Sequence, residues 1–387
     1  MEKISERLLS WASILEDSTR EQAERTASLP FIHPHVALMP DAHLGLGATV
    51  GSVIPTDGAI IPAAVGVDIG CGMMAVRTQF TGDDVRGRNL ATLHEQVSRA
   101  IPLSAGRYNK KVRETAAARV EELRDLPGAG QADGVAPNWP QQLGSLGSGN
   151  HFIEVSLDEA DRVWLFLHSG SRGVGNKLAT KHIRIAQERT RARGVEVPDR
   201  DLAHLEEGEP QFDAYIEALR WAQRFAALNR EEMMDRVADQ VSRFLAEEVH
   251  RAQVVQCHHN YTERETHDGR EVWLSRKGAI SARTGQWGLI PGSMGAASYV
   301  VVGKGDAAAL NSAPHGAGRA FSRSAARKRF SRADLDRRMQ GIAWGRSDAF
   351  LDEHPDAYKS IDVVMADAAD LVEVRHTLRQ VVNVKGD

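Results

Sequence analysis

From residue 212 to residue 250 the chain reads FDAYIEALRWAQRFAALNREEMMDRVADQVSRFLAEEVH, with neither proline nor glycine. No helix breaker interrupts it and its apolar residues recur at helical spacing, so the run is read as helix. Another helical pattern, NKLATKHIRIAQERTRAR, starts at Asn176, and two more cover residues 5–17 and 88–100. Between these lie short apolar runs that read as strands: HVALMP, VGSVIP, VWLFLHS, EVWLS and SYVVVG. Glycine-dense loops separate the runs, at 45–51, 66–72, 144–149, 170–175, 288–295 and 303–318. Residues 123–142, LRDLPGAGQADGVAPNWPQQ, read as a surface loop. There is no repeat of fixed period and no linker. The expectation is an α+β fold. It is one large mixed domain over residues 1–387, with central β-structure around a cleft and a helical insertion at about 177–250.

Charge and cysteine content exclude some classes. The formal net charge is −4, so the protein as a whole is not a basic nucleic-acid binder, and any such site must be a local patch. Two cysteines, Cys71 and Cys257, exclude a disulfide framework and suit a reducing cytosol, so a cytoplasmic location is expected. No run of about 18 apolar residues occurs, and no membrane span is expected.

Chemistry is concentrated where polar residues interrupt apolar, glycine-rich runs. In AIIPAAVGVDIGCGMMAV, residues 59–76, Asp68 and Cys71 stand three apart across a glycine turn and could face one point. A buried carboxylate is costly unless it is paired or bound to a metal. A capping aspartate beside an inert thiol fits the same residues. LGSLGSGNHFIEV, residues 143–155, sets Asn150, His151 and Glu154 after three glycines, whose N–H groups suit anions; a hairpin turn with a surface histidine is the alternative. VWLFLHSGSRGVGN, residues 163–176, ends an apolar run in His168 and opens a loop holding Arg172. That is a good place for a metal ligand or phosphate contact, and equally for a satisfied core histidine. VVQCHHNYTE, residues 254–263, again ends an apolar run in histidines, one of them His259. Arg276, Lys277 and Arg283 follow, as solvated charges or a phosphate-binding face. Finally, NSAPHGAGRAFSR, residues 311–323, sets His315 between a proline and two glycines, with Arg319 four residues on; the ring has little cover.

Taken together, His151, His168, His259 and His315, with Cys71 and Asp68, all sit at strand ends or beside glycine turns. His94, His182 and His376 sit in helical contexts. One thiolate, one carboxylate and three imidazoles would furnish a pair of transition-metal sites. Familiar nucleotide motifs are missing: GSRGVGNK fails the phosphate-loop pattern by one residue, and no G-x-G-x-x-G follows a strand. The Lys-x-Asp-Gly motif of lysine-dependent nucleotidyl transferases is also lacking.

In order along the chain stand MPDAHLGLGATVGSVIP, GVDIGCGM, LGSLGSGNHFIEV, HSGSRGVG, CHHNY, RKGAISARTGQWGLIPGSMGAASYVVVGKG, HGAGRAFSR, AYKSI and VKGD. This series resembles the RtcB-type RNA ligases. The resemblance implies an enzyme that joins RNA ends bearing a 3′-phosphate or 2′,3′-cyclic phosphate to 5′-hydroxyl ends, using GTP and two Mn²⁺ ions, in tRNA splicing or RNA repair. A histidine is guanylylated first, GMP passes to the RNA 3′-phosphate, and the 5′-hydroxyl then expels it. The family's nucleophile matches His315, with Arg319 beside it to neutralise phosphoryl charge. Its metal ligands match Asp68, Cys71, His151, His168 and His259, with the thiolate bridging both ions. Its GTP contacts match Asn150, Phe152, Ile153, Glu154, Asn260, Pro291, Gly292, Ser293, Met294, Ser298, Gly316, Ala317, Gly318 and Lys385. Arg172, Arg276 and Lys277 are candidates for the RNA end. The implied partners are RNA and, as an option, an archease-type activating protein, and no membrane.

Two departures stand out: Pro314 precedes the nucleophile where the family usually has a small residue, and DEHPDAYK carries His354 at a variable position. The richest basic run is RAFSRSAARKRFSRADLDRR, residues 319–338, with eight Arg or Lys against two Asp; it reads as an RNA-facing surface or as a solvated helix. Rival functions are a two-metal phosphoesterase that only opens cyclic phosphates, and an RNA-binding module without catalysis. The first would not need His315 or Lys385; the net charge opposes the second.

Overall fold

In a computed structural model, which describes residues 1–386, the proline- and glycine-free run forms one helix, Pro210–Leu245. Proline opens the first turn, where its missing N–H costs nothing. The helix stops where Ala246 turns left-handed at φ 61°. One face carries Tyr215, Leu219, Trp221, Phe225, Met233 and Val237, all buried. It packs on the helix Arg172–Ala192 and on the strands Gly72–Thr81 and Arg162–Ser169.

Those two strands lie in an eight-stranded sheet. Its main path runs, in space, Gln253–His258, Gly72–Thr81, Arg162–Ser169, Phe152–Leu157, Val372–Lys385, Ser298–Gly303 and Trp287–Ile290. Neighbours along this path are antiparallel. A six-stranded sheet, in the order Glu2–Ser5, Leu8–Ser10, Val36–His43, Val50–Thr56, Arg270–Lys277 and Asn260–His267, stands beside it. The central strands are covered on both faces, which is why VWLFL is apolar without alternation. Register decides what meets at the sheet's edge: His168 lies opposite Phe152 and Met73, Cys257 opposite Met73, and Lys385 opposite Phe152. The chemistry-bearing residues therefore gather at one end of the sheet.

Three local expectations are corrected. Residues 5–17 are not helical. Leu8–Ser10 pairs antiparallel with Glu2–Ser5 and parallel with Val36–Leu38, and the helix starts only at Asp17. Pairing that buries Leu8 completely overrides an amphipathic pattern of ordinary helix formers. Residues 123–142 are not a surface loop. They contain the helices Ala129–Val135 and Trp139–Gln142, and Trp139 is fully buried, edge-on to Trp221 at 5.2 Å. His376 lies in a strand, Val372–Lys385, whereas His94 and His182 are helical as expected. Among the described residues no helix is long and apolar enough to cross a membrane.

Candidate active site

A cleft of about 330 Å³ opens where the two sheets meet. At its inner end are two groups of ligating atoms: Cys71, His168 and His259, and Asp68, Cys71 and His151, each set lying within 4.8 Å. Cys71 belongs to both. Its Sγ is 3.2 Å from His168 Nε2 and 3.4 Å from His151 Nε2, and His151 Nε2 is 3.1 Å from Asp68 Oδ2. The rings are aimed by their other nitrogens: His151 Nδ1 bonds to Leu146 O at 3.0 Å, His168 Nδ1 to Asn150 O at 3.1 Å, and His259 Nδ1 to Asn260 Oδ1 at 3.2 Å. These oxygens accept only, so each Nδ1 carries the proton, and the Nε2 of His168 and of His259 presents a lone pair.

Those lone pairs need a cation. His168 Nε2 and His259 Nε2 face one another at 2.9 Å, two acceptors with no donor between them. Burial, foremost, and the neighbouring histidines hold both rings well below the usual histidine range, so they are neutral. Burial, then the Asp68 charge, pushes the Cys71 thiol well up against the pull of the Arg230 charge, and a bound metal cation would favour its thiolate. Burial also works to raise Asp68, but its hydrogen bond to His151 holds it down to about 2. Neutral imidazoles, a carboxylate and a shared thiol fit two divalent ions.

Arg230, on the long helix, supports this centre from behind and was not legible in the sequence. It is fully buried, with no carboxylate partner among the described residues. It donates to Gly70 O and Ser169 O, both at 2.9 Å, and to His258 Nδ1 at 3.1 Å. Gly70 precedes Cys71 and Ser169 follows His168, so one guanidinium ties together two ligand-bearing turns. Burial, then the Arg230 charge, takes His258 down to about 3, which leaves it free to accept.

His315 stands over the centre. Its ring is 4.6 Å from that of His259, and its Nδ1 is 2.6 Å from Asp41 Oδ2, an ion-pair distance slightly off hydrogen-bond geometry. The same carboxylate accepts the backbone N–H of His315 at 3.1 Å and of Gly316 at 3.3 Å. Asp41 therefore holds the loop through two backbone N–H groups and lies against one ring nitrogen. The loop is not uncovered, as the sequence reading had it. Pro314, Gly316, Ala317 and Gly318 are buried in the cleft wall. Gly278 sits against it at φ +65°, and a Cβ there would strike Val50 and come within 3.2 Å of His315 Cε1.

The outer end of the cleft is built differently. Phe152 and Glu154 line it, with Asn383 and Lys385 from the neighbouring strand. Glu154 is buried; Asn383 Nδ2 donates to its Oε1 at 3.2 Å, and its Oε2 has no partner. Burial raises its carboxyl to about 8 against the pull of Lys385 and Asn383. Nearby, one carboxylate gathers many donors. Glu353 takes Arg323 at 2.6 Å, Arg319 at 3.3 Å, Lys385 at 3.3 Å and the Tyr358 hydroxyl at 2.5 Å. Burial would raise Glu353, but Lys385 and Arg323 hold it down to about 2. Arg319 further donates to Asp352 O at 2.7 Å and stacks on Tyr358.

Most of the residues expected from the sequence meet here. Asp68, Asn150, Phe152, Glu154, His168, His259, Asn260, residues 291–294, residues 315–319 and Lys385 line the cleft. Ser298 lies beneath it, its Oγ accepting from Gly292 N at 3.4 Å. Ile153 is displaced: strand alternation turns it into the core on the other side of the sheet. Arg172 lies behind the centre, its Nη1 3.3 Å from His151 Nδ1, and Gly147, at φ +94°, leaves the room its guanidinium occupies. Arg276 cannot reach RNA. It is fully buried, paired to Glu265 at 2.6 Å and bonded to Ser312. Lys277 does line the cleft, but its ammonium donates to Ala63 O at 2.9 Å and to Leu46 O, and burial lowers it to about 7. Asp41, Arg323, Glu353 and Tyr358 were not singled out. All four lay within quoted motifs, and only packing across the fold shows what they touch.

Comparison with known proteins adds an independent line. The family model described as tRNA-splicing ligase RtcB matches residues 22–386. The RNA-splicing ligase RtcB of Escherichia coli K12 is 46% identical over 389 residues, covering 96% of this chain and 95% of its own. The tRNA-splicing ligase RtcB of Pyrobaculum aerophilum is 30% identical over 454 residues, with 98% and 94% covered. The RNA-splicing ligase RtcB of Mycobacterium bovis is 30% identical over 414 residues, with 89% and 94% covered.

Proposed function

The chain belongs to the RtcB family, and on that premise we propose that it is an RNA ligase that works through a guanylylated His315. The substrates are an RNA end with a 3′-phosphate or 2′,3′-cyclic phosphate and an end with a 5′-hydroxyl, in tRNA splicing or RNA repair. The observation that carries the reading is the seat of His315: its ring lies against a metal ligand and its Nδ1 on a buried carboxylate. Nε2 attacks the α-phosphorus of GTP, the bond to the β-phosphate oxygen breaks, and pyrophosphate leaves. Asp41 keeps the attacking ring in one orientation and favours the cationic imidazole that forms as the N–P bond is made. GMP then passes from His315 to the RNA 3′-phosphate, and attack by the 5′-hydroxyl releases it.

Asp68, Cys71, His151, His168 and His259 would hold two Mn²⁺ ions, with Cys71 common to both. Bound there, divalent ions supply positive charge to phosphate oxygens and lower the pKa of a bound hydroxyl. The outer end of the cleft suits guanine. The free Oε2 of Glu154 accepts from the N1–H and amino edge, Lys385 donates to the exocyclic carbonyl oxygen, and Phe152 gives an apolar wall. Arg319 and Arg323, ordered on Glu353, line the same cleft and can neutralise phosphate charge.

The test is labelling with α-³²P-GTP and Mn²⁺ followed by a denaturing gel. Wild type should carry label that survives alkali and is lost in acid, as expected of a phosphoramidate. His315→Ala should take up none while keeping its metal. Undiminished labelling of that variant refutes the assignment. Opening of cyclic phosphates by wild type without any adduct would point to the phosphoesterase instead.

A further inference from the structure

A second groove lies behind the glycine loop that delivers His151. It is formed by residues 98–113, and Arg107, Lys110, Lys111 and Arg113 stand on it, all exposed. None of these four makes an ion pair among the described residues, though Glu114 follows in sequence. The other basic surface, residues 319–338, is unlike this. There Arg323 and Arg327 pair with Asp352, Arg332 with Asp348, Arg337 with Asp334, and Arg338 with Asp356. Arg329 stacks on Phe321 and Phe330. The charge that looked richest in the sequence is largely neutralised, whereas the four groove cations are unpaired among the described residues.

The groove is also joined to the metal centre. Ser104 N donates to Gly147 O and Leu146 N to Pro102 O, both at 2.9 Å, and Leu146 O in turn receives His151 Nδ1. Tyr108, on the groove wall, sets its hydroxyl against Gly173, next to Arg172, whose guanidinium reaches His151. The groove wall and the loop that holds His151 are thus one hydrogen-bonded unit.

We propose that this groove seats the RNA strand that the ligase acts on, with its phosphates over Lys110, Lys111 and Arg113. This rests on the RNA-ligase reading, and it adds the path by which the substrate enters. Unpaired cations are what phosphodiesters recruit, because each contact releases counterions from the nucleic acid.

The experiment reverses Lys110→Glu, Lys111→Glu and Arg113→Glu together in the full chain. Fluorescence anisotropy of a labelled single-stranded RNA with a 3′-phosphate is read over a series of salt concentrations. Binding should weaken at least about ten-fold at low salt, and the plot of log K against log salt should flatten by about two units for three lost contacts. Guanylylation of His315, which needs no RNA, should be unchanged. The neutral pair Lys110→Gln and Lys111→Gln, checked by circular dichroism and thermal melting, should give a smaller loss in the same direction. Unchanged affinity and slope overturn the proposal and leave the groove to an acidic protein partner. An equal loss on reversing Arg327, Lys328 and Arg329 would reveal a general charge effect and also overturn it. A wild type that makes no GMP adduct, yet loses RNA in the groove variant, would sink the ligase reading and spare the groove.

Discussion

Glu154 illustrates how one side chain can report on its ligand. Buried with one oxygen unpartnered, and raised to about 8, its carboxyl is protonated at neutral pH before any nucleotide binds. Guanine offers N–H donors, which favour the carboxylate, so nucleotide binding at pH 7 should release about one proton. Calorimetry in buffers of different ionisation enthalpy measures this, and a wild type that releases none would contradict the assignment. Stability follows from the same shift. A carboxyl whose folded pKa lies above its ordinary 4.5 contributes stability that is present below that value and lost as pH rises toward 8. Glu154→Gln mimics the protonated form. It should match wild type at pH 4.5 and exceed it at pH 8 by on the order of 4 kcal/mol, read by denaturant unfolding. Cys71 is the second case. Its sulfur is common to both ligand groups, so Cys71→Ala should take the metal content from two ions per chain to none, while Cys257→Ala keeps both. Elemental analysis of the purified variants decides it.

The long helix Pro210–Leu245 contributes more than a hydrophobic face. Arg230 on it spans the turns at Gly70 and Ser169, so Arg230→Met, which keeps the packing volume but none of the donors, should weaken metal binding by about 10–100-fold. Competition against a chelator of known affinity reads this. Arg230→Lys should recover only part, because an ammonium lacks the forked geometry. Unchanged metal affinity in Arg230→Met would make the residue a packing element only. Elements also divide into those the sequence reveals and those it does not. VWLFLHS and the 212–250 run were legible because burial on both faces and the lack of breakers leave unambiguous patterns. The cluster of Asp68, Cys71, His151, His168 and His259 drew notice because each is a polar residue at the end of an apolar run or beside a glycine turn. Residues 5–17 misled because an amphipathic helix and a strand pair buried on one side share similar residues. Trp139 was hidden in a stretch whose glycines and prolines suggested a loop. Period-two alternation, applied to Phe152, Ile153 and Glu154, would have turned Ile153 away from the cleft. Asp41 and Glu353 carried no local signal, since their partners lie hundreds of residues away or in another loop.

For the molecule as a whole, net charge says little about where an anionic polymer binds. The sum is −4, yet the exposed cations are unevenly matched: paired along 319–338 and unpaired along 107–113. Salt dependence of binding, rather than total charge, is the quantity that discriminates between them. The order of the strands has a consequence in time. Val372–Lys385 lies between Phe152–Leu157 and Ser298–Gly303, inside the sheet and not at its edge, and it brings Lys385 opposite Phe152. A ribosome must therefore finish residue 385 before the two halves of that sheet can be joined. Until then, Phe152–Leu157 and Ser298–Gly303 each expose an unpaired edge to other chains or to a chaperone. A chain stalled at residue 371 should be captured by chaperones or digested by protease under conditions where one carried through residue 386 resists. Protease resistance of the stalled chain equal to that of the longer one would show that the sheet can close without this strand.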